Sequence, residues 1–182
     1  MGLRILKHGY LDTVQDRGRS GYQHLGINPG GAMDQATAAI ANALVGNDES
    51  AAVIEMHFPA CTILFEVPML IALSGADFSP VINDQPALLN TPIIVSALSV
   101  LQFEKFQSGR CAYLAVQGGF NIPKWLGSYS TNLAVKAGGM NGRPLKKDDK
   151  ISCLKNDLLS FSPKKFHLIR FCNKSFLSFH TL

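Results

Sequence analysis

The amino-acid sequence predicts a mainly β domain, arranged as a closed or half-closed β-barrel, with one prominent α-helix at about residues 34–46. After that helix, short apolar or alternating runs follow one another almost to the end of the chain, and most are bounded by Gly, Pro, Asn or Asp. A parallel sheet of βαβ units would need helices between its strands, and the sequence offers none there. Many short strands with a single helix are typical of a barrel.

The helix is predicted from its composition and from its two ends. The segment 35–45 is rich in alanine, Asp34 is a good N-cap, and Gly46 followed by Asn47 is a natural stop. Alanine on the buried face allows a helix to lie close against a sheet. The face that we expect to pack inward consists of Ala36, Ile40, Ala43 and Leu44.

The strands are predicted from apolar runs between turn residues. The first strand lies at 3–6, a turn at 9–13 leads into a second strand, and residues 83–86 form a tight hairpin turn. The segment 172–182 has no clear period. Further strands are predicted at 53–56, 62–65, 69–74, 93–95, 100–103, 112–117 and 164–171.

Composition limits the classes of function. The chain has 182 residues, a net charge of +4 and 47% hydrophobic residues, which fits one globular domain with a sizeable core. Its lysines and arginines form no basic stripe with interleaved aromatics, so we expect no nucleic-acid partner. No apolar run approaches the ~18 residues that cross a bilayer, so we expect no membrane association.

The cysteine pattern predicts no metal site in this chain. No two of the four cysteines lie close in sequence, whereas zinc sites usually contain short spacings such as C-x-x-C, and the five histidines form no pair at helical spacing. We predict buried free thiols, which fit a reducing compartment. The amino-terminal segment lacks the apolar core of a signal peptide, so we expect a cytoplasmic protein.

Polar clusters between glycines mark the candidate site. The densest is 13–21, which contains Gln15, Asp16 and Arg19 and precedes the glycine-rich turn 29–34. Glycine permits backbone angles and close approaches that other residues do not, so such a loop is suited to holding a ligand. An ordinary polar hairpin loop has a similar composition and stays an alternative.

Four further clusters lie at 74–77, 109–120, 126–132 and 137–146. In the second of these, Arg110 offers a fork of donors for a carboxylate or a phosphate. The hydroxyls of the third follow a glycine, a pattern seen in anion-binding concavities. The structural alternatives are a turn-capping acid, a surface arginine and an ordinary hydroxyl-stabilised turn. The last cluster lacks the spacing of a P-loop.

Glu55 is predicted to lie within a strand among apolar neighbours, where an acid needs a partner. Arg19 or Arg110 is expected to pair with it. A buried ion pair that holds one end of the barrel and a catalytic role both remain open.

Taken in order along residues 3–151, these clusters resemble the biotin-dependent carboxyltransferase A/B-domain family. Its members include the C subunit of 5-oxoprolinase, the protein once called allophanate hydrolase subunit 2, a part of urea amidolyase, and a Kip-type antagonist of a kinase inhibitor. The matching motifs are Thr13-Val14-Gln15-Asp16, Gly18-Arg19, Gly30-Gly31-Ala32-Met33-Asp34, Ala41-Asn42, Gly46-Asn47, Glu55, Ser74-Gly75-Ala76-Asp77, Arg110, Tyr113-Leu114-Ala115-Val116, Gly118-Gly119, Gly127-Ser128, Ser130-Thr131, Gly138-Gly139 and Leu145-Lys146.

The resemblance implies a cyclophilin-like β-barrel and an activity that depends on a partner. In a 5-oxoprolinase assembly, this type of chain and a Kip-inhibitor-like partner would together activate 5-oxoproline with ATP, while a separate ring-opening component produces glutamate. In a carboxyltransferase, the site would pass a carboxyl group from carboxybiotin to urea or a similar small amide. A non-catalytic regulator that binds a kinase inhibitor is a further alternative.

The resemblance also implies roles for the matching residues. Arg19 and Arg110 would bind a carboxylate or phosphate, and Asp16 or Asp34 would act as acid or base, which makes these four the catalytic candidates. The substrate-binding candidates are Gln15, Asn42, Glu55, Tyr113, Ser128, Ser130, Thr131, Gly138 and Gly139.

The chain departs from the family pattern in several places. Tyr129 stands where the family has an arginine, Asp148 stands where it has a glycine, and Pro59-Ala60 replaces a Gly-Pro pair. Loss of an arginine from a hydroxyl-rich loop would weaken an anion site, which favours the regulator. The chain is also shorter than its relatives, so we expect a single domain over 1–182 that lacks most of the later subdomain.

Overall fold

A mainly β fold with one prominent helix is confirmed in the computed structural model of the chain, which describes residues 2–154 and the strand at 169–171. The helix α1 spans Gln35–Leu44, and a 3₁₀ turn spans Gln23–Leu25. The strands are β1 (Gly2–Lys7), β2 (Thr13–Gln15), β3 (Val53–Met56), β4 (Thr62–Phe65), β5 (Met69–Asp77), β6 (Pro80–Ile82), β7 (Gln85–Pro86), β8 (Pro92–Val95), β9 (Ser99–Phe103), β10 (Ser108–Val116), β11 (Lys150–Ser152) and β12 (Ile169–Phe171).

The predicted strands are present wherever the structure describes the chain, most of them with shifted ends, whereas β6, β7 and β11 are additional to the predicted strands. The strand predicted at 164–171 is seen as β12, its last three residues, and 164–168 and the tail at 172–182 lie outside the described residues. Asn83 and Asp84 connect β6 to β7 with φ values of 50° and 62°, so the predicted hairpin turn is confirmed.

The strands form two six-stranded sheets rather than one closed ring among the described residues. The first has the order β11-β1-β4-β9-β6-β7 and the second β12-β8-β5-β10-β3-β2. All neighbours pair antiparallel except β12 and β8, which run parallel. The sequence predicted a closed or half-closed barrel, and the structure shows two open sheets that share a core.

The second sheet is apolar on both faces, which explains its continuous hydrophobic runs. In β10, alternate residues point to opposite sides, so Leu114 and Val116 join the core between the sheets while Tyr113 and Ala115 face the helix. The helix packs on this outer face and touches β5, β10 and β3. The alternation thus gives the sheet a core side and a helix side.

The predicted inward face of α1 is confirmed at Leu44 and wrong at its other three positions. Ala36 and Ala43 are exposed and Ile40 is 50% exposed, whereas the buried positions are Ala38, Ala41, Asn42 and Leu44. Alanine occurs on nearly every side of this helix, so its periodicity carries little information. Small residues at the contact let the helix approach the sheet closely, and the larger Ile40 points away.

No helix in the described part of the chain is long and apolar enough to cross a membrane.

Candidate functional site

The carboxylate of Asp16 organises the polar cluster at the end of β2. It accepts hydrogen bonds from the hydroxyls of Ser128 and Ser130, at 2.7 and 2.5 Å, and from the amides of Gly18 and Tyr129, at 2.7 and 2.6 Å. Asp16 is only 8% exposed, so these four donors replace the water that a surface carboxylate would hold. The sequence-predicted Asp16, Ser128 and Ser130 are therefore brought together.

The loop that carries the two serines is held in a fixed turn. Trp125 and Ser128 form an isolated β-bridge through their backbones. The Ser128 hydroxyl also accepts from the Ser130 amide at 3.0 Å, and the Ser130 hydroxyl accepts from the Asp16 amide at 2.9 Å. Each hydroxyl thus both donates and accepts, so its orientation is fixed before any ligand arrives.

Arg19 lies beside this network, with only 3% of its surface exposed. Its Nη2 donates to the carbonyl of Ser130, and its guanidinium stacks on the ring of Trp125, 4.6 Å from the centroid. Its Nε is buried with no hydrogen-bond partner. Burial lowers the pKa of Arg19, and the charge of Asp16 opposes this change. Arg19 therefore holds a buried positive charge with unused donor capacity.

The predicted glycines allow backbone segments to meet around Arg19. A Cβ on Gly138 would lie 2.3 Å from the Ser130 carbonyl oxygen, and a Cβ on Gly139 would lie 2.0 Å from the Thr131 hydroxyl. Both glycines have positive φ, 71° and 51°. Only glycine fits at these two positions, because any side chain would push the loop at 138–139 away from the loop that contains Ser130 and Thr131.

A cavity of about 470 Å³ opens beside Asp16. Its wall contains Gly18 and Tyr129 from the cluster, Asn47 from the end of the helix segment, and Lys124. Asn47 donates from Nδ2 to the Val116 carbonyl and accepts from the Gly118 amide, both at 2.8 Å, so it joins the helix end to the turn after β10. The volume is sufficient for a small ligand.

Gln15 and Thr131 face a second cavity, of about 300 Å³, on the other side of this cluster. The Gln15 amide nitrogen donates to the Thr13 hydroxyl at 2.9 Å, while its Oε1 is buried without a partner. The Thr131 hydroxyl donates to the Val14 carbonyl at 2.9 Å. The unused Gln15 oxygen is an acceptor suited to an amide N–H.

Two of the predicted site residues, Asp34 and Asn42, stabilise the helix α1 and its contacts. Asp34 caps α1, where its carboxylate accepts from the amide and hydroxyl of Thr37, and these hydrogen bonds lower the pKa of Asp34. Asn42 is fully buried on α1 and donates to the Ala51 carbonyl at 2.8 Å. Neither residue is among those that line the cavity beside Asp16.

Glu55 does not pair with an arginine, and that prediction is wrong. Its carboxylate accepts from the Tyr113 hydroxyl at 2.9 Å and from the Met33 amide at 2.6 Å, and the described residues contain no ion pair to it. Burial is the main cause that raises the pKa of Tyr113, so this hydroxyl stays protonated and donates. A phenol and an amide therefore stabilise the buried acid.

Arg110 lies apart from Arg19. It is exposed on β10 and lines two cavities, of about 500 and 460 Å³, that also touch Met33. The predicted arginine pair is thus divided between two places on the molecule.

Asp77, from the 74–77 cluster, accepts from the Ser79 amide at 2.8 Å and caps a turn.

Sequence reasoning missed four residues that take part in these sites. Trp125 and Asn47 belong to the Asp16 region. His57 and Cys111 lie beside Glu55, with Cys111 Sγ 3.3 Å from His57 Nε2. His57 and Cys111 could have been found only from the register of β3 against β10, which the sequence alone does not give.

The chain combines two sheets and one helix with buried acid, serine and arginine side chains between glycine loops. Comparison with known proteins identifies the class of protein that has these features. Residues 25–169 match the model for the carboxyltransferase domain, subdomain A and B. The chain belongs to this family.

Two curated relatives have different names. The chain is 38% identical over 149 residues to the C subunit of 5-oxoprolinase from Escherichia coli (strain K12), which covers 82% of this chain and 48% of the relative. It is 40% identical over 159 residues to urea amidolyase of Lachancea kluyveri, which covers 87% of this chain and 9% of the relative. The chain thus spans about half of the first relative and a small part of the second.

A solved structure with the same fold is the urea amidolyase of K. lactis. It superposes with a TM-score of 0.81 at 35% identity, over 93% of this chain and 10% of that one. The urea carboxylase of Kluyveromyces lactis gives a TM-score of 0.81 at 36% identity, over 88% of this chain and 14% of that one. The chain corresponds to a small part of these much longer proteins.

Proposed function

We propose that this chain is one component of a 5-oxoprolinase-type enzyme, which converts 5-oxoproline to glutamate with ATP and needs a Kip-inhibitor-like partner subunit. The observation that carries the proposal is the buried cluster of Asp16, Ser128, Ser130 and Arg19 beside a cavity of about 470 Å³. The similarity to the C subunit of 5-oxoprolinase supports it. A separate ring-opening subunit would complete the assembly.

The chemistry of 5-oxoproline fits the groups in this cluster. The substrate has one carboxylate and one lactam amide. Arg19 offers a buried positive charge and a free Nε donor to an anionic group, either a carboxylate or a phosphorylated oxygen. Gln15 offers a free carbonyl oxygen to an amide N–H. In this proposal Arg19 binds the anionic group, Gln15 binds an amide in the separate cavity of about 300 Å³, and Asp16 fixes the serines that shape the anion site.

Asp16 acts mainly as an acceptor in this proposal. Its two oxygens already receive four hydrogen bonds, so removal of a substrate proton would require one of these donors to leave. Of the four donors, the amides of Gly18 and Tyr129 belong to residues that line the cavity, so a ligand there would compete with these amides before Asp16 could act as a base.

A biotin-dependent carboxyltransferase is the second candidate, and the similarity to urea amidolyase supports it. In that case carboxybiotin would supply the carboxyl group and urea or a similar amide would receive it. Arg19 would then bind the carboxylate in transfer. The same residues serve both reactions, because each handles a small amide and an anionic intermediate.

The test is co-expression of the chain with its Kip-inhibitor-like and ring-opening partners, followed by an ATPase assay with and without 5-oxoproline. We expect 5-oxoproline to stimulate ATP hydrolysis and glutamate to form. Asp16→Asn and Arg19→Ala should each abolish the stimulation, while Asp84→Asn, an identical change to an exposed acid in the β6–β7 turn, should leave it intact. A complex that turns over carboxybiotin and urea but not 5-oxoproline would favour the second candidate.

The proposal also covers the cellular setting. Cys61, Cys111 and Cys153 are free thiols in the part of the chain that the structure describes. Free cysteines in the structure fit a reducing environment, so we propose a cytoplasmic assembly of several subunits.

A further inference from the structure

A group of three metal-ligating side chains lies on the outer face of the second sheet, outside the Asp16 cluster. Strands β3 and β10 pair antiparallel with Glu55 opposite Tyr113, and continuing this register places His57 opposite Cys111. Residues 55 and 57 share one face of the strand, as do 111 and 113. The ligand atoms of Glu55, His57 and Cys111 all lie within 4.8 Å of one another.

The spacing of these atoms fits a tetrahedral cation. Zinc is bound at ~2.3 Å by sulfur and ~2.0–2.1 Å by nitrogen, so the two ligand atoms of a tetrahedral site lie about 3.6 Å apart. Cys111 Sγ and His57 Nε2 are 3.3 Å apart. A small movement of one side chain therefore converts the observed thiol–imidazole contact into a pair of ligands.

The surrounding hydrogen bonds orient the ligands as metal sites require. His57 Nδ1 lies 2.8 Å from the Leu11 carbonyl oxygen, to which it donates, so the lone pair of Nε2 is directed at Cys111. The Met33 amide and the Tyr113 hydroxyl hold the Glu55 carboxylate in place. Histidine and carboxylate ligands with such outer partners are typical of zinc proteins.

The charge balance also favours a cation. Glu55 is 6% exposed, and the ion pairs within the described residues are Arg17–Glu49 and Arg143–Asp149. A buried carboxylate without a positive partner is costly. A divalent cation between Glu55, His57 and Cys111 would neutralise it.

We propose that Glu55, His57 and Cys111 form a binding site for a zinc-type divalent cation with one open coordination position. Three protein ligands with a fourth position left for water or a substrate are typical of catalytic rather than structural zinc sites. Two cavities, of about 300 and 500 Å³, reach His57 and Met33 and provide the access. Mixed thiolate, imidazole and carboxylate ligands exclude magnesium and calcium as occupants.

The test is titration of the metal-free full chain with Co²⁺ as a spectroscopic substitute, followed by competition with Zn²⁺. We expect one equivalent to bind and to produce a thiolate-to-cobalt charge-transfer band that Zn²⁺ removes. Cys111→Ser should abolish the band. His57→Ala should weaken Zn²⁺ binding by at least about 100-fold, beyond the ~10–100-fold that loss of an outer partner costs.

Matched variants separate this site from adventitious binding. Cys153→Ser removes a thiol outside the group, and His8→Ala removes an exposed imidazole, so both should keep the band. Zn²⁺ should raise the melting temperature of the wild-type chain and of both controls, but not that of Cys111→Ser. If Cys111→Ser does not fold, Glu55→Gln provides the comparison of melting temperatures, because it removes a charged ligand and Zn²⁺ should then raise the melting temperature less than in the wild-type chain.

Two results would overturn the proposal: no charge-transfer band in the wild-type chain, or a band that survives Cys111→Ser. Binding is measured on the isolated chain, with neither ATP nor the other components of the complex. Its failure would leave the proposed 5-oxoprolinase-type function untouched, and a silent enzyme complex would leave the metal site untouched.

Discussion

Four donors converge on Asp16, and this makes it the residue on which the loop 127–131 most depends. In Asp16→Asn, the new NH₂ group would face donors where the carboxylate now accepts. A buried donor left without an acceptor costs about 1–3 kcal/mol, so we expect the free energy of unfolding to fall by this amount. Urea denaturation measures the loss. Asp84→Asn should change the stability by less than ~0.5 kcal/mol, and an equal loss in both variants would contradict the assignment.

Gly138 should tolerate a methyl group far less well than other glycines with the same backbone. Gly138→Ala would bring a Cβ to 2.3 Å from the Ser130 oxygen, whereas Gly26, with φ of 74°, has nothing within 4 Å of its Cβ position. Both variants incur the left-handed backbone cost of roughly 1–2 kcal/mol. We expect only Gly138→Ala to lose more than this, as measured by thermal unfolding. Equal losses would show that the close approach has no energetic weight.

Among single residues, the sequence was informative where chemistry is local. Asp16 and Arg19 lie in one polar segment before a glycine-rich turn, and composition alone predicted a polar cluster there. Gln15 was grouped with them, but it ends β2 and faces a separate cavity. Glu55 was recognised as a buried acid because of its apolar neighbours, but its partner was wrong. Tyr113 is 58 residues away, and only the pairing of β3 with β10 brings it opposite.

The helix α1 lies on the sheet through alanine, and this contact limits the size of its side chains. Ala41 is fully buried and Ala43 is exposed two positions later. Ala41→Leu should lower the free energy of unfolding by about 1–3 kcal/mol, because extra methylenes in a packed core force neighbours apart. Ala43→Leu, the same change on the solvent side, should stay within ~0.5 kcal/mol. Chemical denaturation of the pair tests the corrected helix face.

The segment before β11 is held by the ion pair of Arg143 with Asp149. The two nitrogens of Arg143 contact the two oxygens of Asp149 at 2.7 and 2.8 Å, and these hydrogen bonds lower the pKa of Asp149 below its ordinary value of 3.8. Because the pKa of Asp149 is lower in the folded than in the unfolded chain, the unfolded chain binds this proton first as the pH falls. The stabilisation is therefore present above about pH 4 and is lost as the pH falls further.

Asp149→Asn should consequently lower the free energy of unfolding by about 1 kcal/mol at pH 7. The difference from the wild-type chain should shrink as the pH falls from about 4 to about 2, which denaturation at several pH values measures. Asp148→Asn, at the exposed neighbouring position, should keep the acid dependence of the wild type. A difference for Asp149→Asn that is constant with pH would contradict the role of the charge.

Among the secondary-structure elements, strands were easier to predict than their ends or the helix face. β3 and β4 have the predicted limits because turn residues bound both runs, whereas β10 begins four residues earlier than its apolar run. That extension, Ser108–Cys111, is polar at its start and gives no hydrophobic signal. The helix face failed because alanine provides no contrast between its sides.

The two sheets share one core, and we expect the molecule to unfold as one unit. Leu114 is fully buried in that core at the centre of the second sheet. Leu114→Ala should cost about 2–5 kcal/mol through lost burial and the cavity that remains. Leu133→Ala, at a position that is 43% exposed, should cost less than ~0.5 kcal/mol.

Scanning calorimetry tests whether the sheets unfold together. The calorimetric and van't Hoff enthalpies should agree for the wild-type chain and for Leu114→Ala, because both sheets lose the same core. Two separate transitions would mean that the sheets form independent units. The mainly β class was predictable from the sequence, but the short strands β6, β7 and β11 were not predicted. The division into two sheets follows from long-range pairings such as β1 with β4, which local patterns do not contain.

The contact of Arg19 with Trp125 has a practical consequence. Trp125 is the single tryptophan of the chain, and the Arg19 guanidinium carbon lies 4.6 Å from the centroid of its ring. The emission of an indole responds to a nearby charge, so an anion that draws Arg19 away would change the fluorescence of the whole protein. Intrinsic fluorescence of this tryptophan therefore offers a label-free measurement of ligand binding at the proposed site.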